Sequence, residues 1–249
     1  MAEEQRKFLQ ADIFRPNKGK NIEIDVNGET YFRLPIKTDI ITDKDDLIKL
    51  LDKYIKPHLL KDDLIFVSEK VVAATQGRII NMNDIKPSKL AYFLAGKVNN
   101  RYGTKEFRGF GHGTGMAMQL FIEQAGVLRV LFAAAVAAVT RPLGIKGLFY
   151  VICGKKAKSI DCPMSFVIQP YTHYAKLPPI DPMGVAGQIR DRFGNDAVII
   201  DANYLGAFSL GKSNKKIKEK FIREVVRDNP AGQSDEMTPF FIIRKKHNS

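Results

Sequence analysis

The sequence predicts a mixed α/β (α+β) protein built in two parts. Three observations carry this. Leu64 to Val67 and Ala197 to Ile200 are short apolar runs of the kind that buried strands show, and Asp43 to Leu60 repeats its apolar residues at helical spacing. Between them Pro170, Pro178, Pro179 and Pro182 mark a loop or crossover. A chain of 249 residues exceeds the usual single domain and can bury a sizeable core. The expected division is an N-terminal α/β part, residues 1–169, and a C-terminal α/β part, residues 170–249, with a single domain as the alternative.

Composition narrows the setting. Cys153 and Cys162 are too few for a disulfide framework or a zinc site, and the charged opening MAEEQRKFLQ lacks the apolar core of a secretory signal. Both predict a cytoplasmic protein. The most apolar run, Val130 to Val139, is shorter than the roughly 20 residues that span a bilayer, so a buried helix is expected and no membrane partner. The net charge of +12 implies attraction for anions without choosing among them. Ser213 to Arg227 places Ile217, Phe221, Val225 and Val226 on one helical face and lysines on the other, a solvated helix. No aromatic and basic interleaving of an RNA-binding sheet is present, so nucleic acid is a minor reading.

Along the chain, Asn21 to Val26 and Thr30 to Leu34 flank an Asn27-Gly28 turn, a hairpin signal. Asp43 to Leu60 is an amphipathic helix with acidic residues in its first turn. Val71 to Arg78 follows the first buried strand as a small-residue turn. Lys86 to Val98 and a segment from Met116 read as helices, Leu148 to Cys153 as a strand, Val185 to Phe193 as a helix and Phe240 to Arg244 as the last strand.

The chemistry-bearing residues gather at strand ends. Asp201 and Asn203 follow the Ala197 to Ile200 strand, where open α/β sheets place their sites. A carboxylate there asks for a cation or hydrogen-bond donors, a divalent metal being one candidate, while turn capping by both side chains is the plainer alternative. Ser68-Glu69-Lys70 stands at the end of the other strand as a second rim or a simple surface ion pair. Lys37 and Thr38 lie on a loop where an ammonium and a hydroxyl can face an anion. The glycine-rich run Arg101 to Gly115, with His112, matches neither the P-loop nor the dinucleotide spacing.

Together LPIKT, DDLIFVSEKVVAATQGR, Asp181-Pro182 and VIIDANYLG resemble the coenzyme F420:L-glutamate ligase family, the F420-0 γ-glutamyl ligases, from about Leu34 to Pro239. The resemblance implies a two-part mixed-sheet fold, an intertwined homodimer, and GTP- and metal-dependent amide-bond synthesis through an acyl phosphate, with Mn²⁺ or Mg²⁺ as the ion. It further implies a small anionic metabolite as acceptor. It makes Lys37, Thr38, Ser68, Glu69, Lys70, Asn203 and Gln233 nucleotide contacts, and Asp201, Asp161 and Glu236 metal ligands; no catalytic residue is assigned. The chain departs from the family pattern at Ala73, Ala74, Gln76 and Ala202. Three functions follow: a γ-glutamyl ligase, a relative that binds a nucleotide or anionic metabolite without turnover, and a basic protein binding nucleic acid or an acidic partner through Ser213 to Arg227 and Arg244-Lys245-Lys246.

Overall fold

The structure is a computed structural model that describes residues 14–97, 114–145, 147–154, 160–162, 169–203, 206–232 and 235–246. The glycine-rich run up to Gly113, the lysines at 155, 156 and 158, and Gln233 lie outside the described residues. The strands are β1 (Glu23–Val26), β2 (Glu29–Ile36), β3 (Leu64–Ser68), β4 (Ile79–Asn81), β5 (Tyr174–Lys176), β6 (Ala197–Asn203), β7 (Gly206–Lys212) and β8 (Phe240–Lys245). The helices are α1 (Leu47–Tyr54), α2 (Glu69–Thr75), α3 (Lys89–Ala95), α4 (Gly115–Ala125), α5 (Val127–Thr140), α6 (Leu148–Cys153), α7 (Pro182–Phe193) and α8 (Glu219–Val225). They sort into two compact units, one from Met1–Gly77 with Pro179–Ser249, the other Arg78–Pro178.

The first unit is a six-stranded mixed sheet in the order β1-β2-β8-β3-β6-β7. Its β1–β2 hairpin turns at Asn27 and Gly28, both with positive φ, as a tight turn matching strand twist requires. Only β3 and β6 run parallel; β8, from the far end of the sequence, inserts antiparallel between β2 and β3. Both faces of the central strands are buried, which explains their unbroken apolar runs. Ile65, Val67, Ala197, Ile199, Phe240 and Ile242 pack beneath α1, α2 and α7, against Leu51, Ile55, Val72, Ala186 and Ile189. Phe66, Val198, Ile200, Phe241 and Ile243 pack on α8 through Ile222 and Val225. Each such valine, leucine, isoleucine or phenylalanine side chain contributes about 1.5–3 kcal/mol by leaving water. Two ion pairs close the edges of this core: Arg33 with Asp228, and Arg244 with Asp63.

The second unit packs α3, α4, α5 and α6 with the β4–β5 ribbon around Met118, Leu120, Phe121, Val130 and Ala133. Thr114 caps α4 by accepting from the Ala117 amide at 3.1 Å. Gly126, at φ +86, ends α4 and turns the chain by 111° into α5. Among the described residues no single helix is long and apolar enough to cross a membrane.

Several expectations from sequence are corrected. Leu148–Cys153 is helix α6, not a strand: Phe149, Tyr150 and Cys153 turn inward and Val151 outward, a spacing of one helical turn, between positive-φ Gly147 and Gly154. A six-residue apolar run carries no period that separates the two states. Val71 to Thr75 is helical, because Glu69 to Ala74 place five side chains inside the unit. The Val130–Val139 run is a helix, α5, yet Val130 and Ala133 are its only buried residues, while Leu128 is 84 % and Phe132 63 % exposed. Helix α1 is shorter than Asp43 to Leu60, the chain continuing as a 3-10 turn at Lys56–His58. The segment after Asn203 returns as β7, whose Gly206 and Gly211 weaken the sequence signal of a strand.

Candidate functional site

In the first unit, sheet register brings Lys37, Ser68 and Asp201 towards one edge, although Asp201 does not follow its strand in a turn but lies within β6, paired with Phe208 of β7. Ile36, Phe240, Val67 and Ile199 are register partners across β2, β8, β3 and β6. One residue further are Lys37, Pro239, Ser68 and Ile200, and then Thr38, Thr238, Glu69 and Asp201. At the usual strand spacing, Thr38 and Asp201 stand about 14 Å apart along this edge. Lys37 is exposed, Ser68, Lys70 and Asp201 are half-buried, and Glu69 is buried in the first turn of α2. By strand alternation Asp201 shares its face with Ala197 and Ile199, the face that α2 and α7 cover.

The C-terminal segment runs across this edge and ties it together. The Thr38 amide donates to the Met237 carbonyl at 2.9 Å, and the Ser68 amide to the Pro239 carbonyl at 2.9 Å. The Thr38 hydroxyl donates to the Asp39 carbonyl at 2.8 Å, so it is committed within the loop. At the other end Asn229 donates through Nδ2 to the Ala202 carbonyl (3.2 Å) and the Gly232 carbonyl (2.7 Å). Gly232 has φ +74, and a Cβ there would meet the Glu236 carboxyl group at 2.4 Å, so the Glu236 head lies directly on this glycine. Sequence reasoning singled out Glu236 but not Asn229, one of whose two acceptors lies on β6, 27 positions away.

Asp161 belongs to the second unit. There it exchanges backbone hydrogen bonds with Lys176, and its carboxylate stands 3.5 Å from the fully buried Lys176 ammonium. Among the described residues no group of three or more His, Cys, Asp or Glu side chains gathers as a metal site. The Asn203 backbone ends β6 opposite Gly206. Of the departures from the family pattern, Ala73 and Ala74 are buried in α2, and Gln76 bridges to the loop before α7, donating to the Ile180 carbonyl at 3.0 Å and accepting from its amide at 2.7 Å. The Asp181-Pro182 element starts α7: Asp181, at φ +41, accepts from the Gly184 amide at 3.0 Å with proline in the first turn.

Several basic groups assigned to an acidic partner are paired in the fold. Arg244 binds Asp63 through two hydrogen bonds, Lys245 binds Glu29, and Lys246 reaches Glu23 at 2.9 Å. A cavity of about 270 Å³ lined by Glu23, Asp25, Arg33, Arg227 and Asp228 is likewise crossed by an ion pair, Arg33 with Asp228. Burial pushes the Asp228 carboxyl up, but the hydrogen bonds and charge of Arg33 outweigh it and hold it below the usual carboxylate range. Burial raises both thiols, Cys162 to about 11, which leaves both cysteines poor nucleophiles.

A six-stranded mixed sheet with helices packed on both faces and polar groups gathered towards one edge places this unit in the mixed α/β class. The profile of F420-0:gamma-glutamyl ligases matches residues 35–217, and the chain belongs to that family. The match includes Lys37, the Ser68 to Lys70 rim, Asp161 and Asp201, and stops before Asn229 and Glu236. No curated protein sequence matches the chain. Family membership points to a ligase of coenzyme F420 biosynthesis with small-molecule substrates.

Proposed function

We propose that the chain is a GTP-dependent γ-glutamyl ligase that joins L-glutamate to a carboxylate acceptor, coenzyme F420-0 or a related metabolite. The observation that supports it most is the register that lines up Lys37, Ser68 and Asp201 on one edge, within the stretch that matches the ligase profile. In the proposed reaction an acceptor carboxylate oxygen attacks the γ-phosphorus and the nucleoside diphosphate leaves. The glutamate amine then attacks the acyl carbonyl, phosphate leaves, and the nitrogen loses its proton. Such transfers rest on positioning and charge neutralisation more than on covalent help from protein.

In this reading the Lys37 and Lys70 ammonium groups neutralise phosphate, the Ser68 hydroxyl hydrogen-bonds it, and buried Thr38 and Glu69 shape the rim. Asp201 and Glu236 would be the carboxylate donors, and since no group of three metal-ligating side chains gathers among the described residues, they suit Mg²⁺ or Mn²⁺ carried on phosphates, not an all-protein cage. The ion would offset phosphate charge when bound. A second reading, a nucleotide-binding relative without turnover, draws on the alanines at 73 and 74 and on Ala202.

Thermal-shift titration tests both at once. GTP with Mn²⁺ raises the melting temperature with a saturating dose response, because a ligand held by the native state alone stabilises it; at 100 times the dissociation constant this amounts to about 2.7 kcal/mol. No shift with any pairing of GTP or ATP with Mn²⁺ or Mg²⁺ removes both readings.

A further inference from the structure

Asn229 stands outside the matched stretch, yet it is where the C-terminal turn is fastened to the candidate site. We infer that Asn229 is a positioning residue for that site: its carboxamide sets where the Glu236 carboxylate sits relative to the strand that carries Asp201. This rests on the ligase reading above.

Four observations carry it. Asn229 is 4 % exposed although it lies in a turn, and its backbone sits at φ +50, a left-handed conformation that asparagine tolerates better than most residues. Its Nδ2 protons are both committed, one to the residue after Asp201 and one within its own turn, so a single side chain joins β6 to the 229–232 loop. Its Oδ1 is buried and receives no hydrogen bond among the described residues, so the group is kept there at a desolvation cost that a purely surface turn would not incur. The loop it fixes ends on Gly232, whose amide donates back to the Asn229 carbonyl at 3.1 Å and whose missing Cβ leaves the space the Glu236 carboxyl group occupies.

The rest of the segment is held independently, which confines the effect. Asn17 donates to the Pro230 carbonyl at 2.7 Å and the Thr238 hydroxyl at 2.8 Å, and Thr238 donates to the Ala231 carbonyl at 2.8 Å. Losing the Asn229 carboxamide therefore leaves the segment on the unit and frees the link from β6 to Gly232 and Glu236. Asparagine to glycine keeps the left-handed backbone without strain, whereas asparagine to alanine also strains it.

The test is a double-mutant cycle on glutamate-dependent phosphate release from GTP with Mn²⁺ and F420-0, run well below the melting temperature of every variant. Asn229→Gly and Asn229→Ala each lower kcat/KM about tenfold, the scale of one displaced charge-assisted contact. In a Glu236→Ala background neither lowers it further, because the group Asn229 positions is gone. A merely structural Asn229 gives losses that multiply in the double variants, and that result overturns the inference, as do wild-type rates in both single variants. A wild-type protein without glutamate-dependent phosphate release overturns the ligase reading and this inference with it; an active wild type with multiplying losses overturns the inference alone.

Discussion

Asp63 and Arg244 show how individual residues spend charge in this fold. Their side chains are 1 % and 6 % exposed, joined by hydrogen bonds of 2.8 and 2.7 Å, and Arg244 also donates to the His58 carbonyl at 2.8 Å. Breaking such a pair from one side strands a buried charge and costs about 3–5 kcal/mol. The pair was not legible in the sequence, since its members lie 181 positions apart and each alone reads as surface charge. Lys37, Ser68 and Asp201 were legible, because each follows or closes an apolar run, although β6 continues past Asp201 to Asn203. The neighbouring His58 gives the pair a pH signature. Burial, then the Arg244 charge, push its imidazole below the ordinary 6.5. A histidine with a lowered folded-state pKa stabilises the fold above its unfolded pKa and loses that contribution as pH falls towards the folded one. Urea midpoints of the wild type are therefore expected to fall as pH drops from 6.5, and those of His58→Gln to fall less over the same interval. Parallel curves would assign the acid sensitivity to carboxylates such as Asp228.

At the scale of elements, the strands with long unbroken apolar runs, β3, β6 and β8, were plain in the sequence, as was the hairpin turn at Asn27-Gly28. Helices α2 and α6 were not, because short runs of valine, alanine and aromatic residues fit either state and tertiary burial decides between them. The same burial gives Ala73 and Ala74 a structural reading: both are interior positions of α2, where a charged side chain would be costly. Helix α5 is the reverse case. Its apolar composition predicted burial, and instead Leu128, Phe132 and Val139 are exposed. The homodimer that the family resemblance implies would assign this face to a second copy of the chain. Leu128→Glu with Phe132→Glu is expected to convert a dimer to a monomer in light scattering after size exclusion, with the helical signal unchanged. A monomeric wild type at all concentrations contradicts the assignment, and wild-type binding to anionic vesicles, lost in the same variant, would reassign the face to a lipid surface.

At the scale of the molecule, charge and site are divided between the units. Of 39 basic and 27 acidic residues, the Arg78–Pro178 stretch carries 14 and 4, so most of the net +12 lies there. The sheet edge with Asp201 belongs to the other unit, where lysine 245 and 246 and Arg244 are neutralised by carboxylates. Net charge was readable from composition; its distribution needed the fold, as did the entry of β8 between β2 and β3, which brings the C-terminal segment across the candidate site. In the proposed function this edge holds nucleotide for amide-bond formation. The most direct measurement is orthophosphate release from GTP with Mn²⁺, L-glutamate and F420-0, comparing the wild type with Asp201→Asn. The predicted result is release that requires both glutamate and acceptor and falls about 10- to 100-fold in Asp201→Asn, the scale of one lost bond to a charged group. Release that ignores glutamate, or an Asp201→Asn variant as active as the wild type, would contradict it.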